Sequence, residues 1–277
     1  MSKIINLLVV VIILSAAGML LYPTVSDQYT QYQNARRILA YNRTAEAIDP
    51  TRNREMLEAA HRYNDALMGN EEIRDAFGED RTITSEDYRH LLDPGGDGIM
   101  GVIEIPAIGV HLPIYHGTEE VDLQRGAGHM EGTSLPVGGP GTHCGIAGHR
   151  GLPSARLFTD LDQMRSGDLF YITVLGELLV YQVDQVAVVL PHEMEYLDAV
   201  EGEDYCTLVT CTPYGINTHR LLVRGRRTEL DDISQLLAMG DSVEDIKGWQ
   251  GALVCATPVA LVGMLLMLVI RPKRRYR

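Results

Sequence analysis

The chain has 277 residues, 45% hydrophobic and 22% charged, enough for one sizeable core plus appendages. Its net charge of −13 understates an asymmetry: six of the 24 Lys+Arg lie in the two tails and all 37 Asp+Glu lie between them, leaving the middle near −19. So acidic a domain excludes nucleic acid and an anionic lipid surface as docking partners.

In chain order, the first element is an apolar run over residues 4–22, preceded by Lys3 and broken only by Asn6 and Ser15. A second apolar run covers 249–270 and ends in the basic tail 271–277, with Pro258 inside it. Each is about 20 residues long, the length at which a helix spans the ~30 Å hydrocarbon core of a bilayer. Ser15-Ala16-Ala17 could serve as a leader-cleavage site, but the first run is longer than the ~7–15 residues of an ordinary leader core. Basic residues at both extremes place both termini in the cytoplasm and everything between them outside.

Residues 24–94 read as a polar helical extension. Tyr29, Tyr32, Ile38, Leu39 and Tyr41 form one rough helical stripe; Met56, Ala60, Tyr63 and Leu67 form another. Asp49-Pro50-Thr51 separates the two as a helix stop and start. From residue 95 the texture changes to short β-like runs between Gly/Pro turns: 100–105, 110–114, 144–148, 169–174, 178–183, 185–190, 205–211 and 220–223. Eight such strands predict an all-β barrel or sandwich over 95–228, with a short helical insertion near 157–161. Residues 229–248 form a juxtamembrane segment leading to the second membrane helix.

Four cysteines are present: Cys144, Cys206, Cys211 and Cys255. Cys255 lies in the second apolar run. Cys206 and Cys211 are five apart on one strand, hence on opposite faces, and do not bridge each other. A Cys144–Cys206 pair stays open for an exported domain. Cys211 ends the β-branched run Thr207-Leu208-Val209-Thr210-Cys211, where a strand gives way to a turn and a thiol is exposed and aimed. Arg220 follows after an eight-residue loop, Thr212 to His219. If the two strands pair, thiol and guanidinium face each other across the loop mouth, where fixed donors can hold a carbonyl or an oxyanion. A thiol nucleophile needs a base or a positive charge beside it. Of nine histidines, His149 stands out: it follows a strand-like run and is framed by Gly148 and Gly151.

These residues together resemble the sortases, Gram-positive transpeptidases: the run ending at Cys211, Arg220, and Gly148-His149-Arg150 upstream. Gly126-Ala127-Gly128-His129 and His149-Arg150-Gly151-Leu152-Pro153-Ser154-Ala155 also resemble the family. Class C, the pilus-polymerising branch, is suggested by Thr212-Pro213-Tyr214-Gly215 after the cysteine, the C-terminal membrane helix and the helical extension. The resemblance implies a closed eight-stranded β-barrel. It implies that Cys211 attacks the Thr–Gly bond of a Leu-Pro-x-Thr-Gly-like sorting signal, with His149 moving the proton and Arg220 holding the backbone and oxyanion. The partners implied are pilin subunits, whose lysine amine accepts the acyl group; no metal or cofactor is implied. The family also has an Asp-Pro-aromatic lid. Its best match is Asp75-Ala76-Phe77, with alanine in place of proline, and Asp93-Pro94-Gly95 ranks second.

Within the family the alternative acceptor is a peptidoglycan amine. Outside it, the alternative is a non-catalytic surface protein that is itself sorted, but residues 226–250 contain no Leu-Pro-x-Thr-Gly. The acidic run Glu193, Glu195, Asp198, Glu201, Glu203 and Asp204 has the oxygen ligands calcium favours, though a class C resemblance does not imply calcium.

Overall fold

A computed structural model describes residues 2–67, 73–78 and 86–229. Expectations for 230–277, including the second membrane helix, the basic tail and Cys255, lie outside the described residues. Eight strands close a barrel in the order β1-β2-β3-β4-β7-β8-β6-β5. They are β1 Ile99–Ile105, β2 Val110–His116, β3 Ala127–His129, β4 Thr142–Ala147, β5 Leu169–Val174, β6 Glu177–Val189, β7 Asp204–Thr212 and β8 His219–Arg227. β2–β3 and β4–β7 are parallel and the other pairs antiparallel.

The strand count agrees with the sequence reading, but two strands differ. The runs at 178–183 and 185–190 are one strand, β6, whose register shifts between Val183 and Gln185. A bulge there breaks the alternation that would mark a continuous strand. β3 has only three residues, too short to show a period. The expected helical insertion near 157–161 is a set of tight turns followed by a 3₁₀ turn, Leu161–Gln163.

The strands' two faces carry two apolar clusters. Cys144, Ile146, Cys206, Leu208, Leu221 and Val223 belong to the main core with Phe170 and Tyr181. Alternate positions on the same strands, Ala147, Val209, Leu222 and Val189, belong to a second cluster. Ile73, Ala76 and Phe77, from the segment before the barrel, pack on that second face.

Two helices precede the barrel. α1, Ser2–Ala47, is one unbroken helix that takes Pro23 within it. It is the one described helix long and apolar enough to cross a membrane. Beyond the apolar part, Asn34, Ile38, Tyr41 and Ala45 form its buried stripe, whereas Tyr29, Tyr32 and Leu39 are exposed. The sequence stripe was therefore half right: residues 34, 38, 41 and 45 keep the helical period and include a polar member. α1 is hydrogen-bonded to the barrel side at Asp27, whose carboxylate accepts the Arg156 N–H at 2.8 Å, and at Thr30, whose hydroxyl donates to the Ser154 carbonyl at 3.3 Å. Tyr41 donates to the Met100 carbonyl (2.9 Å) and accepts the Leu175 N–H (3.0 Å), tying α1 to β1 and the β5–β6 turn.

α2, Pro50–Leu67, starts as its sequence predicts. Pro50 opens it, and the Asp49 carboxylate accepts the Thr51 N–H at 2.8 Å. Ala60 is fully buried, and Asn64 clamps the Leu135 backbone from both sides, at 2.7 and 3.2 Å. α3, Glu86–Arg89, and α4, Glu120–Leu123, are single turns flanking β1 and β2.

Candidate active site

β7 and β8 pair so that Cys211 and Arg220 are direct register partners. The pairing continues to Thr212 and His219, so the connecting loop is shorter than the sequence suggested. Tyr214 and Ile216 in that loop are exposed. His149 comes from the other side. β4 runs parallel to β7 with Ala147 opposite Val209, and the Gly148 N–H bonds to the Val209 carbonyl at 3.0 Å. His149 follows the end of β4 by two residues and Cys211 follows Val209 by two on the parallel neighbour, so both side chains leave the same end of the β4–β7 pair. The Thr210 hydroxyl fastens the same crossing by donating to the Gly148 carbonyl at 2.7 Å. Gly148 is required here, because a Cβ would lie 2.6 Å from the Phe158 ring. The three candidate side chains thus meet at the ends of three adjacent strands.

The segment 73–78 covers them. The Asp75 carboxylate takes two parallel bonds from Arg220, Nε to Oδ1 at 2.7 Å and Nη2 to Oδ2 at 2.5 Å. Phe77 lies with its ring centre 5.5 Å from that of His149 and 5.3 Å from the Arg220 guanidinium carbon. Arg220 also donates through Nη1 to the Asn217 and His219 carbonyls, both at 3.1 Å. Only 7% of Cys211 is exposed. Burial pushes its thiol pKa up, Arg220 opposes the rise, and Asp75 adds to it. In this arrangement the thiol is therefore predominantly protonated at neutral pH. Burial works against the Arg220 charge, but the Asp75 hydrogen bonds outweigh it and the guanidinium is held firmly ionised.

The other lid candidate lies elsewhere. The Asp93 carboxylate accepts the N–H groups of Gly96, Asp97 and Gly98 and closes the turn into β1. The acidic run is also engaged locally: Glu193 accepts the Leu190 N–H, Glu203 pairs with Arg226, and Asp204 accepts from Gly139 and Tyr181. Among the described residues no group of three His, Cys, Asp or Glu side chains is arranged to hold a metal ion. Cys144 and Cys206 are register partners across β4 and β7, both buried and both free thiols.

Three contacts are not legible in the sequence. Glu120 reaches the His149 ring, and Arg150, 8% exposed in its side chain, pairs with Asp162 at 2.5 Å while donating to the Thr212 hydroxyl at 3.3 Å. Arg150 therefore braces the end of β7 next to the thiol.

A sortase-domain profile matches residues 103–228, the stretch that holds His149, Cys211 and Arg220. Sortase C-1 from Actinomyces oris is 45% identical with a TM-score of 0.61, over 64% of this chain and 99% of that one. The chain belongs to the sortase family of cysteine transpeptidases. Sortase C from Streptococcus pneumoniae is also similar, at 45% identity and a TM-score of 0.64, over 70% of this chain and 97% of that one. Among curated proteins, sortase A of Streptococcus agalactiae is 30% identical over 140 residues, 49% of this chain and 56% of that protein. The chain thus matches less than two thirds of the length of this sortase A, whereas it covers the sortase C structures almost completely.

Proposed function

We propose that this sortase is a class C enzyme, anchored in the membrane through residues 1–23, that polymerises pilins outside the cell. The observation that carries this reading is the Asp75–Phe77 segment laid over Cys211, His149 and Arg220. It comes from the helical extension, and structures of sortase C cover this chain over nearly their whole length. The S. pneumoniae sortase C structure bears on pilin substrate specificity, which supports the same substrate class here.

In this mechanism Asp75 and Phe77 act as a lid and withdraw when substrate enters. Arg220, released from Asp75, turns its donors to the carbonyl of a Leu-Pro-x-Thr-Gly-like signal. The Cys211 proton passes to His149, and the thiolate attacks the threonine carbonyl carbon. Arg220 holds the oxyanion as it develops. The C–N bond breaks, His149 protonates the departing glycine amine, and a thioester remains. A pilin lysine amine then attacks the thioester, His149 takes its proton, and an isopeptide bond forms as the thiol is regenerated.

The test incubates the full chain in detergent with a sorting-signal peptide and a pilin, with Cys211→Ala as control, and reads products by mass spectrometry. The expected product is an amide between the threonine and a pilin lysine, absent with Cys211→Ala. Cleavage without ligation to the pilin removes the polymerase reading, and ligation only to a peptidoglycan amine assigns a cell-wall role. Cleavage by the Cys211→Ala variant removes the mechanism altogether.

A further inference from the structure

His149 is held at one nitrogen by a carboxylate that does not belong to the covering segment. α4 starts at Glu120, just after the turn at Gly117, and its last residue, Leu123, is fully buried. Leu123 packs in the same cluster as Met130, Ala147 and Val209, so α4 is seated on the barrel. The Glu120 carboxylate lies 3.3 Å from Nε2 of His149. Gln124, one turn on, donates to Glu120 Oε1 at 3.0 Å and steadies the carboxylate. The neighbouring Glu119 is engaged with Arg89 and does not compete for the ring.

We propose that Glu120 is the positioning residue of His149: its carboxylate accepts the Nε2–H, fixes the ring in that tautomer, and reserves Nδ1 for proton transfer. An ionised carboxylate only accepts hydrogen bonds, so the nitrogen facing it must carry the hydrogen. A neutral imidazole has one N–H, and Nδ1 is then left with its lone pair. The cycle balances through that atom. The Cys211 S–H proton moves to Nδ1, goes from there to the departing amine as the C–N bond breaks, and is replaced by one from the incoming amine. Phe77 leaves the ring when the lid opens, whereas Glu120 stays because α4 is fixed to the barrel. The orientation of His149 therefore survives opening. This assignment rests on the transpeptidase reading above and adds a residue to it.

The experiment has a spectroscopic arm and a kinetic arm, both on the full chain in detergent. With 15N-labelled histidine, long-range 1H–15N correlation spectra report the tautomer, and a His149→Gln spectrum assigns the resonances. The wild type should show the Nε2–H form, Glu120→Ala a mixture of tautomers, and Glu120→Gln, which keeps a carbonyl acceptor, the wild-type form. Glu120→Ala should lower kcat for peptide cleavage about tenfold with KM within about twofold, and Glu120→Gln should recover most of it. The loss is smaller than the ~10⁴-fold attached to a buried orienting carboxylate, because half of the Glu120 side chain is exposed. The same exposure lets either variant fold. Unchanged His149 resonances in Glu120→Ala, or a kcat within about twofold of wild type, would overturn the assignment. The tautomer readout needs no substrate, so a wild type without transfer activity would sink the transpeptidase reading and leave this result standing or falling by itself.

Discussion

Asp75 and Arg220, 145 residues apart in sequence, form a two-bond ion pair whose side chains are 12% and 6% exposed. The pair lies beside Cys211 and uses the donors a substrate carbonyl would need. The contact that lays Asp75 over the site is thus the same one that satisfies the Arg220 guanidinium fork. Asp75→Ala should therefore open the site and, by removing a nearby negative charge, let the Cys211 pKa fall. Alkylation by iodoacetamide followed against pH should become faster, with its midpoint moved to lower pH. A midpoint at or above the wild-type value would contradict the electrostatic part.

Phe77 tests the cover without changing charge. Its ring contacts both His149 and Arg220, and Phe77→Ala should speed alkylation of Cys211 several-fold while Asp75 still holds Arg220. An unchanged rate would mean that the ring does not shield the thiol.

Replacing Arg220 should be costly in two ways. Arg220→Lys keeps the charge but loses the planar fork that grips both Asp75 oxygens, so it is not a conservative change. Loss of an oxyanion donor costs roughly 10²–10³ in kcat. Arg220→Ala should also lower the melting temperature, because Asp75 is left largely buried without a partner. Adding Asp75→Ala should return that stability without returning activity.

His143 sets a pH dependence of stability. It is 2% exposed, its Nδ1–H donates to the Asp198 carbonyl at 3.0 Å, and Nε2 accepts from Thr207 at 2.7 Å. Burial pushes its pKa down to about 4, against about 6.5 in the unfolded chain. Between those values the unfolded state binds the extra proton, so stability is full above about pH 6.5 and falls as pH drops towards 4. The total is on the order of 3 kcal/mol. Melting temperatures at pH 7 and pH 5 should differ, and His143→Gln should flatten the difference. An equal slope in the variant would show that His143 is not its source.

Gly148 is where packing and chemistry meet. Gly148→Ala drives a methyl into the Phe158 ring, and overpacking of this kind costs about 1–3 kcal/mol. The strain falls on the backbone that carries His149, so peptide cleavage should drop further than the change in melting temperature alone accounts for. Retained activity would mean that Phe158 yields without moving His149.

Much of this site was legible because hairpin geometry is local. Cys211 and Arg220 could be paired from strand pattern alone, and β7 and β8 join them as expected. His149 needed the parallel β4–β7 neighbour, a crossover that no single window of sequence reveals. Asp75 and Phe77 were singled out by family resemblance, but only the fold brings them to Arg220. Glu120 was not legible. It opens the single-turn α4 directly after the loop Gly117-Thr118-Glu119, where acidic residues ordinarily face solvent, and its contact with His149 comes from the seating of Leu123. The α1 stripe was misread for a related reason: the helix buries Asn34 and exposes Tyr29 and Tyr32, so hydrophobicity alone picks the wrong edge.

The unbroken α1 has a geometric consequence. A flexible tether would absorb an inserted residue, but a continuous helix turns about 100° and advances about 1.5 Å with each one. Between the apolar run and the hydrogen bond at Asp27 the helix continues through Pro23. The compass heading of the barrel about the helix axis, and the direction its mouth faces, are therefore set by residue count, so that one deletion turns the mouth by about 100° and four leave it about 40° from where it began.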